Sequence, residues 1–391
     1  MTMVKRIVPL LKKIQHYITK KLLKFMRLKR RIVLESHPDL SGNTFEFYEF
    51  LLKNKVNLNY KIYWLVENPE NYKKYAIKNI KFLALKPSNI IKELRKKIII
   101  HSAKLIISEN RMIHKTNPNT QSIHLHHGTV LKDVSGIYNF GKSYNYILCP
   151  SKELVELYKR LFKVNKEQIY ICGYPRNDLL TKPNNALDRL GFINYKKVIL
   201  WMPTFRQHKN KERTDTAKTL PLGIPVLRNE KELIRLNEYL IQLNILLVLK
   251  LHPSQDKSYI NIDATSNIII LEDYQLQEKD VKLYDFVGQT DALITDYSSI
   301  YFDYLLLGKP IGLTIDDIDD YSLGFVYPNV DEYLVGDKIN ELRDMKSFIQ
   351  NCVDGIDVNK NLREQVNTRV NIKTAESYSN ELYKKVETIL K

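Results

Sequence analysis

Short apolar runs alternate with amphipathic stretches along most of this chain. Residues 31–35 (RIVLE), 60–66 (YKIYWLV), 104–108 (KLIIS), 121–125 (QSIHL), 146–149 (YILC) and 169–172 (IYIC) have the length and residue types of buried strands. Residues 197–202 (KVILWM), 245–251 (ILLVLKL), 268–271 (IIIL), 291–295 (DALIT) and 310–313 (PIGL) continue the series. Helical spacing predicts helices over 45–52, 152–162 and about 230–243, the second one capped by Pro150-Ser151. Strand–helix alternation in both halves predicts parallel sheets covered on both faces. The loop at 181–187, rich in Pro, Asn and Lys, is the expected linker. The fold expected is α/β: two Rossmann-like doubly wound domains, 31–185 and 186–391, around a central cleft. The last helix is left free to cross back onto the first domain.

The first 31 residues carry a different pattern. Eleven Lys and Arg residues, with no Asp or Glu, are interleaved with Val4, Ile7, Leu11, Ile14, Ile18, Leu22 and Phe25. That spacing of three and four predicts a basic amphipathic helix, placed at 1–30 in the domain layout. Such a helix lies on an anionic membrane surface, or packs its apolar stripe on the protein and leaves its basic face in water. The first reading places the helix on the anionic cytoplasmic leaflet. The segment is too charged to span a bilayer, and no apolar run elsewhere is long enough to do so.

Composition narrows the classes. With 391 residues and 44% hydrophobic content the chain can bury sizeable cores. Three scattered cysteines, Cys149, Cys172 and Cys352, suggest neither a disulfide framework nor a zinc site. The formal charge of +17 admits nucleic acid, membranes or phosphorylated ligands as partners. No nucleic-acid-binding motif is present, so no nucleic-acid partner is expected.

The candidate chemistry sits where strands end, as expected for ligand sites of open α/β sheets. Asp296-Tyr297-Ser298-Ser299 follows ALIT and opens a helix, with Asp303 one turn later. Its serines are either a phosphate cradle or a plain helix cap. Lys250 and His252 end the run ILLVLKLHP. They either neutralise a phosphate and protonate a leaving oxygen, or are a solvated Lys and a structural His. Arg206, in WMPTFR, is a bidentate phosphate contact or a surface arginine. In His126-His127-Gly128-Thr129, glycine permits close backbone approach and neutral imidazole is a good base near pH 7. A structural histidine is the alternative. Lys132, a turn later, is placed to hold an anion.

The combination HGTxLK, GYPRND, MPTFR, KLHP and TDYSSxxFDY, in that order over roughly residues 31–375, resembles the CDP-glycerol glycerophosphotransferase family of teichoic-acid and capsule synthesis. The resemblance implies a GT-B-like fold and a peripheral membrane enzyme. It implies transfer of glycerol phosphate or ribitol phosphate from a CDP-alditol to a hydroxyl of an undecaprenyl-diphosphate-linked or polymer acceptor, releasing CMP. On that resemblance His127 is the general base and His252 the histidine beside the diphosphate. Arg206 and Lys250 are supporting cations, Ser298 and Ser299 the phosphate cradle, Asp296 the residue shaping its turn, and Asp303 a further donor-side residue. Ser36 and Asn43, in ESHPDLSGN, fall on the acceptor side with Gly128, Thr129 and Lys132. GYPRND is the domain junction. The resemblance supplies no metal ligand and no tightly bound cofactor. Where family members often have Trp before His-Gly, this chain has His126, which either repacks the acceptor side or adds a second titrating group. Tyr321-Ser322-Leu323-Gly324 stands where many members have Arg-Gly. A glycosyltransferase of the same architecture using a nucleotide sugar is the competing enzyme reading, and a polyanion-binding protein the non-enzymatic one.

Overall fold

The computed structural model describes residues 21–133, 136–204, 206, 220–252, 255, 260–321, 324–374 and 376–391. Most of the expected amphipathic helix at 1–30, and Ser322 and Leu323, lie outside the described residues.

The first half forms β1 (Lys29–Glu35), β2 (Lys61–Val66), β3 (Ile80–Ala84), β4 (Ala103–Ser108), β5 (Gln121–His124), β6 (Tyr146–Cys149) and β7 (Ile169–Ile171). They make one parallel sheet in the order β3-β2-β1-β4-β5-β6-β7. The second half forms β8 (Lys197–Met202), β9 (Ile245–Leu249), β10 (Ile268–Ile270), β11 (Ala292–Thr295), β12 (Ile311–Leu313) and β13 (Asp337–Lys338). These are also parallel, in the order β10-β9-β8-β11-β12-β13. In each sheet the order reverses beside the first strand, between β1 and β4 and between β8 and β11. Two adjacent loops diverge at such a point and leave a crevice.

A parallel sheet is buried on both faces, and alternate side chains choose the face. Ile32 and Leu34 point to one side of β1, packing with Phe47 and Leu51 of the helix Gly42–Lys53. Val33, between them, packs with Ile99 and Ile100 of the helix Ile90–His101. In the second sheet Ile199 and Trp201 face the helix Glu230–Leu243 through Leu233, Leu236 and Leu240. Val198 and Leu200 face the opposite way, into a core that also holds Val130, Phe140 and Tyr158 of the first half. The halves therefore share buried apolar surface.

The last helix, Tyr378–Leu390, does cross back. Leu382, Val386 and Leu390 complete the core beside Ile32 and Trp64 of the first sheet. Asp178 fixes its start by accepting from the backbone N–H groups of Tyr378 (2.7 Å) and Ser379 (3.0 Å). Lys104 Nζ donates to the carbonyl of Leu390 at its end (2.6 Å). Gly173 must be glycine, since a Cβ there would meet the Tyr378 ring at 2.2 Å. GYPRND thus begins with the close approach of two chain segments and ends with a helix cap.

Candidate functional site

A cavity of about 710 Å³ lies between the halves. Its walls are the loops at both switch points. After β1 come His37–Gly42 and after β4 Glu109 and Asn110; after β8 come Met202–Thr204 and after β11 Tyr297–Ser299. The loop after β5 adds His126–Lys132, and the segment after β9 adds Lys250–His252.

The loop carrying His127 is held in an unusual shape. His126 has φ +59° and Gly128 φ +139°, both in the region that L side chains rarely adopt. A Cβ on Gly128 would lie 2.8 Å from Ser299 Oγ and 2.9 Å from Arg176 Nη2, so only glycine fits. His126 Nδ1 lies 2.7 Å from the Gly128 carbonyl. A carbonyl only accepts, so Nδ1 carries the proton. The His126 carbonyl in turn accepts from Asn43 Nδ2 (2.8 Å). The buried His126 ring stacks on His127 with centroids 4.5 Å apart, and packs on Phe162 at 5.1 Å.

His127 projects into the cavity, open to it but walled by protein on a wider scale. Desolvation first, then the charges of Arg176, Lys132 and His252, push its pKa down to about 4. The ring is therefore neutral at pH 7, the form that can accept a proton. Desolvation drives His126 well below the ordinary histidine value. His126 thus serves as a packed ring and not as a second titrating group near neutral pH.

The other expected residues divide into two sets. His252, Lys250, Ser298, Ser299, Gly128, Thr129 and Lys132 line the same cavity as His127. Lys250 Nζ also pairs with Asp273 at 2.7 Å. Ser298 and Ser299 are half-buried where the helix Ile300–Tyr304 begins, with no side-chain cap bond to it. Thr129 Oγ1 is buried without a hydrogen-bond partner.

The second set stands behind the walls. Arg206, expected on a phosphate, is fully buried and paired with Asp296 (2.8 Å) and Asp317 (2.7 Å). Asp296 also accepts from the backbone N–H of Thr204 (2.9 Å), which ties the loop after β8 to that after β11. Asp303, expected on the donor side, is fully buried and accepts from Arg176 Nη2 (2.6 Å), Tyr284 Oη (2.6 Å) and Asn177 Nδ2 (3.0 Å). Ser36 turns the first loop: its Oγ donates to the Pro38 carbonyl and accepts from the N–H of Ser41. Asn43 is buried and bridges His126, Glu109 and the backbone N–H of Arg176 (3.2 Å). For all five the physical reason is the same: their polar atoms are already satisfied by other groups of the protein.

Among the cavity residues not singled out from sequence are Arg176 and Glu109. Arg176 was visible only as part of a junction motif. Glu109, directly after the buried run of β4, accepts from the N–H of Thr44 (3.0 Å) near the start of the helix Gly42–Lys53. Desolvation raises its pKa to about 7, against the pull of Arg176. Among the described residues no group of three or more His, Cys, Asp or Glu side chains is arranged to hold a metal ion.

Residues 17–388 match the CDP-Glycerol:Poly(glycerophosphate) glycerophosphotransferase family. The chain belongs to this family. It is a transferase of the glycerophosphotransferase kind. The teichoic acid poly(glycerol phosphate) polymerase of Bacillus spizizenii is 27% identical over 343 residues, covering 77% of this chain and 78% of that protein. The polymerase of the same name from Bacillus subtilis is 27% identical over 76% of this chain, which spans only 40% of its length. The teichoic acid ribitol-phosphate polymerase TarK of Staphylococcus aureus is 27% identical, over 76% of this chain and 58% of its own. A solved structure of the wall teichoic acid polymerase TagF superposes with a TM-score of 0.75 at 20% identity, covering 100% of this chain and 99% of that one. At that identity the likeness shows the fold, which in this family member is two parallel α/β units with the cavity between them.

Proposed function

We propose that this family member transfers glycerol phosphate or ribitol phosphate from a CDP-alditol to a hydroxyl of a lipid-linked or polymer acceptor, releasing CMP, in teichoic acid or capsule synthesis. The observation that carries the reading is the pairing of walls. A histidine kept neutral faces the cavity from the first half, while two serine hydroxyls, Lys250 and His252 face it from the second.

The acceptor hydroxyl attacks the phosphorus that bears the alditol, and its proton passes to His127. The bridging P–O bond breaks, and CMP departs with the electron pair. Charge spreads over the non-bridging oxygens in such a transfer, and positioned donors and cations stabilise it. Ser298, Ser299, Lys250 and His252 face the donor's phosphates. Gly128, Thr129 and Lys132 face the acceptor. The acting units are residues 31–185, joined by the returning helix Tyr378–Leu390, on the acceptor side and the rest of 186–391 on the CDP side.

The basic segment at 1–30 rests on the anionic inner leaflet in this reading, placing the enzyme at the cytoplasmic face beside a lipid-linked acceptor. Its described end supports this: Leu22 and Phe25 are 68% and 74% exposed beside Lys21 and Lys24. Among the described residues no helix is long and apolar enough to cross a membrane.

The test is CMP release from CDP-glycerol and CDP-ribitol with a short lipid-linked acceptor bearing one glycerol phosphate. His127→Ala should lower kcat about 10²–10⁴-fold. Sugar transfer from a nucleotide sugar, with neither CDP-alditol used, would overturn the phosphotransfer reading. Undiminished turnover in the variant would remove His127 as the base.

A further inference from the structure

We infer that Arg176 touches the phosphoryl group in flight, and that Asp303, Tyr284 and Asn177 set its guanidinium for that contact. The inference rests on the phosphotransfer proposed above.

Arg176 belongs to the first half by sequence, but its head group lies against the second. Nη2 is 2.6 Å from Asp303, and the guanidinium carbon is 4.8 Å from the centre of the Tyr284 ring. The side chain lines the cavity and is only 12% exposed. At Gly128, in the His127 loop, two groups converge: the Arg176 guanidinium and Ser299 Oγ. Arg176 is thus the cation standing between the proposed base and the proposed phosphate cradle.

A purely structural role explains less of this. Asp303 already accepts from Tyr284 and Asn177, so it has hydrogen-bond partners apart from the arginine. The Arg176 Nε–H has no partner at all, although it is buried. A buried unmade bond of this kind is costly and persists where function requires the group. A guanidinium is planar and always charged, and it presents paired N–H donors that match two oxygens on one phosphorus. As the acceptor oxygen bonds to phosphorus and CMP leaves, the charge to be met lies on those non-bridging oxygens.

The test uses the full chain with CDP-glycerol and CDP-ribitol, comparing wild type, Arg176→Lys, Arg176→Ala and Asp303→Asn. Circular dichroism and a thermal midpoint establish that each is folded. Arg176→Ala should lose about 10²–10³-fold in kcat with a much smaller change in donor KM. Added guanidinium ion should restore part of that loss in Arg176→Ala and nothing in wild type. Arg176→Lys keeps the charge but not the fork, and should stay at least about tenfold slow. Asp303→Asn, which only positions, should lose less than Arg176→Ala. Should Arg176→Ala fail to fold, Arg176→Lys decides the matter, and full activity there overturns the inference. A folded Arg176→Ala with kcat near wild type, or a loss confined to KM, also overturns it while phosphotransfer stands. Wild type that uses neither CDP-alditol overturns both together.

Discussion

At the scale of single residues, burial moves two groups of the site in opposite directions from their ordinary pKa values. With a free-enzyme pKa of about 4, His127 should give a kcat/KM profile that is level from about pH 5 to 8 and falls only in stronger acid. A bound diphosphate brings negative charge beside the imidazole and favours its protonated form. The acid limb of kcat should therefore lie at higher pH than that of kcat/KM. Coincident limbs in a pH-rate study would contradict this. Glu109 runs the other way. Its folded pKa, about 7, lies above the ordinary 4.5, so the folded chain binds this proton more tightly than the unfolded one. Its contribution is present at low pH and is lost as pH rises from about 4.5 to 7. Glu109→Gln should therefore be more stable than wild type at pH 8, by on the order of 2 kcal/mol, and not at pH 4. Urea midpoints at the two pH values check it.

Legibility was uneven among these residues. His127, His252 and the two serines could be read because glycine, proline or a strand end marks where the chain must turn toward a cleft. Arg206, Asp296 and Asp303 carried the same kind of signal, yet the structure pairs Arg206 with Asp296 and Asp303 with Arg176, and none of the three lines the cavity. Charge type announces that a residue will find a counter-charge, and not whether the partner is protein or ligand. Glu109 gave no signal, because a lone acid after a strand is ordinary until the helix start packed against it is known.

At the scale of elements, patterning was a good guide wherever strands were wholly apolar. β6 and β8 fall where the pattern put them, and β1 and β9 differ by two residues at one end. β3 (IKFLA) and the helix Ile90–His101 were not read. β3 is an edge strand, half-buried along most of its length, so its pattern is mixed. The expected linker at 181–187 runs into the helix Ala186–Leu190. The element most dependent on distant partners is Tyr378–Leu390, whose first turn is satisfied by Asp178 some 200 residues earlier. Asp178→Ala should cost about 1–2 kcal/mol of stability while leaving kcat per folded molecule close to wild type. Thermal unfolding together with an activity titration separates the two.

At the scale of the molecule, both sheets were expected and both are present, each with its order reversing at the cavity. Their shared core was not readable, since apolar residues such as Val130 and Leu200 do not announce which domain they join. Removing residues 378–391 should uncover the part of the first sheet's face, beside Ile32 and Trp64, that the helix Gly42–Lys53 leaves uncovered. Limited proteolysis should then cut the first half well before the second. Equal resistance in both halves would contradict the role given to this helix.

The return of that helix also bears on how the protein is made. The first sheet is synthesised before the second, but Leu382, Val386 and Leu390, which close its core, follow only after every strand of the second sheet. Until then this face of the first sheet has only the helix Gly42–Lys53 to cover it, and the part that the last helix fills stays open. The half made first is therefore the half finished last. In a cell, the burden of keeping this enzyme from aggregating during synthesis falls on whatever shelters the face of residues 32 and 64.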